Sequence, residues 1–172
     1  MTQLERVFTL RGNIVHGFQR GRQLGFPTAN LDIHEDQFIV AEQDNLQRGV
    51  YIGICKRQGD SSVYLSVIGI GVVPCFDNQK VSYEVHILHD FKDEEFYDTE
   101  LSVICTHHIR PQSKFESIQG LIDSINSDVS ICRQIYKEIP EQLKTSEDIL
   151  ANDYFDQFLN FFRQLNTTHV KE

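Results

Sequence analysis

The stretch "VSYEVHILHDF", residues 81–91, changes character at every step. Val81, Tyr83, Val85 and Ile87 fall on one side of an extended chain, and Ser82, Glu84, His86 and Leu88 on the other. A period of two reads as a half-buried β-strand and not as a helix. Outward from it the pattern repeats. "SVYLSVIGIGVV" (62–73) precedes it across the turn "FDNQK" (76–80), and "GVYIGIC" (49–55), with Val50, Ile52 and Ile54 on one face, leads into "RQGD" (57–60). Beyond "DFKDEEFYDT" (90–99) comes "ELSVICTHHI" (100–109), which groups Leu101, Val103 and Cys105. "RGNIVHG" (11–17) is a further short β-branched run. Five or six short strands separated by turn signals predict an antiparallel barrel or sandwich.

The last third changes period. Ser113 followed by Glu116 forms a capping-box pattern, and Phe115, Ile118, Leu121, Ile122, Ile125, Val129 and Cys132 recur at helical spacing. Pro140 is expected to end or kink this helix. A second amphipathic helix is expected within 145–165, packing on the barrel or presenting a partner surface through Tyr154 and Phe161. The organisation expected is one domain: residues 1–144 form the barrel and its helix, and residues 145–172 a helical extension and tail.

Composition narrows the function classes. The 172 residues are 40% hydrophobic and 24% charged, enough for a packed core without disulfides. No run approaches the ~20 apolar residues of a membrane span, so no membrane is expected. Cys55, Cys75, Cys105 and Cys132 are widely spaced, and no secretory signal opens the chain, so reduced thiols and a cytoplasmic location are expected. A net charge of −9 speaks against nucleic acid as a partner. Residues 1–26 nevertheless hold four arginines against Glu5, a net of +3. A small basic spot on an acidic chain suits a compact anion such as a phosphate chain; chance clustering gives the same pattern.

That spot contains "GRQLGFPTANL", residues 21–31, preceded by Gly12 and Gly17. It matches neither the Walker A loop nor the dinucleotide fingerprint, which need other glycine spacings. What remains is a loop whose glycines let backbone N–H groups approach an anion, with Arg20 and Arg22 beside it. Thr28 and Asn30 are two apart and share a side in an extended chain. Two neutral oxygens are too few to hold a divalent cation alone, but they suit Mg²⁺ arriving with water and phosphate oxygens. A turn bonded to its own backbone is the plainer reading of the same pair. Glu84 lies on the polar side of its strand, either facing solvent or lining a site where it would orient or deprotonate a hydroxyl. His86 and His89 make H-x-x-H, but three apart on a strand they point to opposite faces, which disfavours a shared zinc.

"RGNIVHGFQRGRQLGFPTANL" resembles the N-terminal signature of riboflavin kinases, and "GVYIGIC", "VSYEVHILHDFKDEEFYDTEL" and "HIRPQSKFESIQGLIDSINSDV" follow in the family's order, over roughly residues 6–140. The resemblance implies a six-stranded antiparallel Greek-key β-barrel with C-terminal helix packed against it. It also implies transfer of the γ-phosphoryl group of ATP to the 5′-hydroxyl of riboflavin, giving FMN and ADP. By position it makes Glu84 the catalytic base or orienting group, and Gly17, Arg22, Thr28, His89 and Tyr97 the ATP-binding residues. Thr28 and Asn30 become the metal pair, for Mg²⁺ with Zn²⁺ or Mn²⁺ as other candidates, and Arg110 and Phe115 the riboflavin/FMN-binding residues. The segment 110–116 is expected to close over bound flavin.

Two positions depart from the family: Val73 stands where Asn is common before the proline, and Gln112 where an acid often follows Arg-Pro. Since the sequence opens at the kinase signature, activity is expected to stop at FMN. The expected partners are riboflavin and ATP, with the chain a monomer. The alternative is a catalytically weak flavin-binding or sensing module on the same barrel.

Overall fold

Alternation along the strands is what closes the sheet. In the computed structural model, which describes residues 2–17, 20–33, 47–60, 62–74, 79–92 and 95–138, the elements are β1 (Thr2–Val15), the single turn α1 (Arg20–Gln23), β2 (Ala29–Asp32), β3 (Gly49–Arg57), β4 (Tyr64–Pro74), β5 (Gln79–Ile87), β6 (Glu100–Pro111) and α2 (Ile118–Ile135). Tyr136–Glu138 add one 3-10 turn. The strands form a closed barrel in the order β1-β2-β5-β4-β3-β6, antiparallel throughout. β3, β4 and β5 follow one another as neighbours, while β2 pairs with β5 and not with β3, the strand that follows it in sequence, which is the Greek-key feature of the order. The expected second helix, with Tyr154 and Phe161, lies outside the described residues, as do Cys75 and Pro140.

Two cores result. Inside the barrel, Leu10, Ile14, Leu31, Tyr51, Ile68, Val85, Leu101 and Val103 are buried together. The expected inner faces of β5 and β6 are among them. The face of β3 singled out by its aliphatic residues is the outer one: Ile52 and Ile54 pack with Val67, Ile104, Cys132 and Tyr136 beneath α2. Tyr51 and Cys55, on the alternate positions, fill the barrel. β3 is buried on both faces because α2 covers it. Cys55, Cys105 and Cys132 are free and buried. Burial pushes the Cys55 and Cys132 thiols up to about 12, which leaves them inert at neutral pH.

α2 starts later than the capping pattern implies. Its N-cap is Ser117, whose hydroxyl accepts from Gly120 N at 3.0 Å, and Ser113 and Glu116 lie in the preceding loop. The reason is β6, which stays paired to β3 as far as Pro111, opposite Gly49. The chain therefore needs residues 112–117 to turn onto the outer face. Phe115 and Ile118, counted on the helical stripe, are 37% and 67% exposed and do not belong to the core. The helix is fastened by an ion pair. Arg110 Nε donates to Asp128 at 3.0 and 3.1 Å, and Nη2 at 2.7 Å, while the Asp128 side chain is only 4% exposed.

Candidate active site

The site is built where β1 and β2 meet. β1 ends at Val15, and Gly17 follows. After α1 the chain doubles back: Phe26 N donates to the Gly21 carbonyl at 2.8 Å, Leu24 N to the same oxygen at 3.1 Å, and Gly25 N to Arg22 O at 3.2 Å. Gly25 has φ +86°, a left-handed conformation that a side chain would strain. Pro27 and Thr28 then lead into β2, a strand of four residues held between β1 and β5.

Ala29 and Leu31 enter the barrel interior, each 7% exposed. Asn30 must then face outward. In register it stands opposite Val15 on one side and Glu84 on the other. Side chains directly opposite in an antiparallel pair have Cβ atoms ~5 Å apart, so Asn30 and Glu84 are immediate neighbours on the outer surface. Gly17 packs on the same amide: a Cβ there would sit 2.1 Å from Asn30 Nδ2. Only glycine lets the loop backbone approach Asn30 this closely. A Cβ on Gly21 would be 3.6 Å from Thr28 Oγ1.

The residues converge on one cleft of about 640 Å³, whose lining includes Gly17, Arg22, Thr28, Asn30, His89 and Tyr97. All five ATP-binding expectations and both metal expectations lie on its wall. Glu84 is exposed beside Asn30 and does not line this cleft. Arg110 and Phe115 lie outside it as well, with the guanidinium 5.6 Å from the Phe115 ring centroid. Gln112, one of the departures, packs its amide over Gly71 on β4.

The cleft has an aromatic end and an anion-friendly end. His89 packs against Tyr64 and Phe91, with ring centroids 4.8 and 4.7 Å apart, and Phe91 continues to Phe96 at 4.9 Å. The anion-friendly part is the glycine loop and Arg22, which lies 3.8 Å from Glu95. Thr28 and Asn30 supply two neutral oxygens to one wall. Among the described residues no group of three or more His, Cys, Asp or Glu gathers to hold a metal. The donor set therefore fits a hard cation that completes its shell with phosphate and water oxygens, and not a dedicated protein cage.

A family model for Flavokinase (riboflavin kinase) matches residues 4–136. The chain belongs to the riboflavin kinase family. It is 38% identical to the riboflavin kinase of Homo sapiens over 139 residues, 80% of this chain and 86% of that protein. The crystal structure of riboflavin kinase from Trypanosoma brucei matches with a TM-score of 0.62 at 27% identity, covering 91% of both chains. A macrolide-efflux protein of Streptococcus pneumoniae matches with a TM-score of 0.60 at 30% identity, over 73% of this chain but 38% of that one. That likeness is to a part of a longer chain and speaks for the barrel. No described helix is long and apolar enough to cross a membrane.

Several residues at and around the cleft of this riboflavin kinase family member escape a reading of its sequence. His16 stacks on Tyr97, with centroids 3.6 Å apart and planes at 26°, and so ties the start of the glycine loop to the 95–99 turn. Backbone bonds between Ile14 and both Asp98 and Thr99 reinforce that tie. α2 contributes Asn126, Val129 and Arg133 to the cleft. The H-x-x-H residues part company: His89 joins the aromatic end, and His86 hydrogen-bonds the Pro27 carbonyl at 2.8 Å. Of these, His89 is named by the resemblance, Val129 by the helical stripe and His86 by its phase with Glu84 on β5, whereas His16, Asn126 and Arg133 left no signal.

Proposed function

We propose that the protein transfers the γ-phosphoryl group of ATP to the 5′-hydroxyl of riboflavin at the rim of this cleft, with Glu84 as the group that receives the hydroxyl. Membership of the riboflavin kinase family supports the reaction. The observation that supports the assignment to residues is the register pair Asn30–Glu84, which makes the glutamate a direct neighbour of a residue lining the cleft.

Phosphoryl transfer asks little covalent help of a protein; it needs charge neutralisation and in-line placement. The backbone of the Gly17–Gly25 loop and Arg22 neutralise the nucleotide phosphates, and the aromatic end around His89 and Tyr97 takes the base. Thr28 and Asn30 would hold Mg²⁺ or another divalent ion, which would supply neutralisation of phosphate charge. Glu84 orients the riboflavin hydroxyl and accepts its proton as the new P–O bond forms. The bond from the γ-phosphorus to the β–γ bridging oxygen breaks, and ADP leaves. Arg110, near the end of β6, and Phe115, in the loop that follows it, flank the flavin, and segment 110–116 closes over it. Three free, buried cysteines agree with a reducing, cytoplasmic compartment, and the working unit is a monomer.

The test is chromatographic. Incubated with riboflavin and MgATP, the protein should convert riboflavin to FMN in step with ADP release. Riboflavin bound but unconverted would leave a flavin-binding module in place of an enzyme.

A further inference from the structure

β2 and β5 pair at only two rungs, Asn30 with Glu84 and Ala29 with Val85. The ladder stops there for a reason. The chain before Ala29 carries Pro27, which has no N–H to offer a neighbouring strand and cannot continue the pairing. Its carbonyl is left without a ladder partner at the point where the backbone turns from the glycine loop into β2. One position beyond the last rung, His86 reaches across and takes that oxygen, Nδ1 to Pro27 O at 2.8 Å. The imidazole also makes a T-shaped contact with Phe26, with centroids 5.6 Å apart and planes at 82°. A carbonyl oxygen can only accept, so Nδ1 carries the proton. The bond thus survives in both the neutral and the protonated ring, and His86 is a fixed strut and not a pH switch. Burial, with a smaller contribution from the nearby Arg133 charge, holds the ring below the usual imidazole value and so in its neutral form.

The carbonyl carbon of Pro27 is bonded directly to the nitrogen of Thr28. Fixing that oxygen fixes the peptide plane from which the Thr28 side chain departs. Gly21 is close to the same threonine, where a Cβ would be 3.6 Å from Thr28 Oγ1. We infer that His86 is a positioning residue: by holding the Pro27 carbonyl it sets the Thr28 hydroxyl where a nucleotide-bound divalent cation meets the cleft wall. The inference rests on the reading of Thr28 as a ligand of that cation. It also gives the first histidine of H-x-x-H a task that has nothing to do with zinc.

The side chains that test it differ in where they put an N–H. Asn carries its amide nitrogen at the same remove from the backbone as Nδ1 of histidine; Gln carries it one methylene further. Binding of Mn²⁺ to the ADP-saturated protein, followed by loss of the free-ion electron paramagnetic resonance signal, reads the site without turnover. His86→Ala and His86→Gln should weaken Mn²⁺ binding about fivefold, the size of one lost hydrogen bond. His86→Asn should stay within twofold of the native protein, and the riboflavin KM should move in none of them. If Thr28→Ala weakens Mn²⁺ binding while His86→Ala and His86→Gln do not, the positioning role is wrong and the cation site stands. If Thr28→Ala has no effect, the cation reading is wrong and the inference falls with it. Should His86→Ala fail to fold, the Asn and Gln variants decide: equal affinities overturn the proposal.

Discussion

The clasp between Arg110 and Asp128 sets how firmly α2 is held on the barrel, and its removal has a calculable effect. The Asp128 side chain is 4% exposed and Arg110 22%. Three N–H to oxygen contacts of 2.7–3.1 Å join them. Asp128→Ala leaves the guanidinium with the Pro111 carbonyl, 3.5 Å from Nη1, and the Phe115 ring. Breaking a buried pair from one side costs ~3–5 kcal/mol, because the remaining charge stays out of water. Arg110 is partly exposed and regains some hydration, so the lower figure applies, about 3 kcal/mol. In a domain of this size that corresponds to a fall in Tm of roughly 10 °C. Urea unfolding at constant m-value is the assay. The double change Arg110→Met with Asp128→Leu removes both charges and should cost less than the single one, within ~1 kcal/mol of native. A single Asp128→Ala loss below ~1 kcal/mol, the size of a surface pair, would refute the reasoning.

Gly17→Ala separates site from scaffold. Its Cβ would strike the tip of Asn30, which can swing aside. Tm should hold within a few degrees while the ATP and Mg²⁺ needed for half-maximal rate rise about tenfold or more, as expected for a displaced contact to charged phosphate; unchanged kinetics would argue that Asn30 is not engaged. Acid should weaken the fold. Burial holds His86 and His107 below the usual imidazole value. The unfolded chain therefore takes up protons first, and stability present above about pH 6.5 is lost as pH falls through the lower folded values. Urea midpoints at pH 7.5 and 5.5 should show the drop, and His107→Asn should reduce it; a flat profile contradicts the account.

What could be read from the sequence depended on how many faces of each strand meet protein. β5 alternates cleanly because Val85 and Ile87 enter the barrel while Glu84 faces out, and its inner face is legible at once. β3 is covered on both sides, so its aliphatic face was plain but its destination was not: the inner positions are Tyr51, Cys55 and glycines, weaker in hydrophobic signal than Ile52 and Ile54. β2 has four residues, with Ala29 and Leu31 as its only inward pair, too short for periodicity to announce. At α2 the capping pattern at Ser113 was outweighed by a long-range fact, the pairing of β6 out to Pro111. The site followed the same rule. Chemistry-bearing residue types were visible, and the resemblance gave them roles. That Asn30 and Glu84 stand side by side is a matter of register between strands remote in sequence, which spacing does not encode. The tasks of His16 and His86 are likewise fixed by what lies opposite them.

The central claim is that Glu84 acts on the riboflavin hydroxyl beside a nucleotide held by the Thr28–Asn30 wall. Single-turnover formation of FMN by Glu84→Gln tests it most directly, with ADP binding measured on the same sample. The account predicts a rate lowered by ~10²-fold or more with ADP affinity within about twofold of native. FMN formed at the native rate by Glu84→Gln would contradict it.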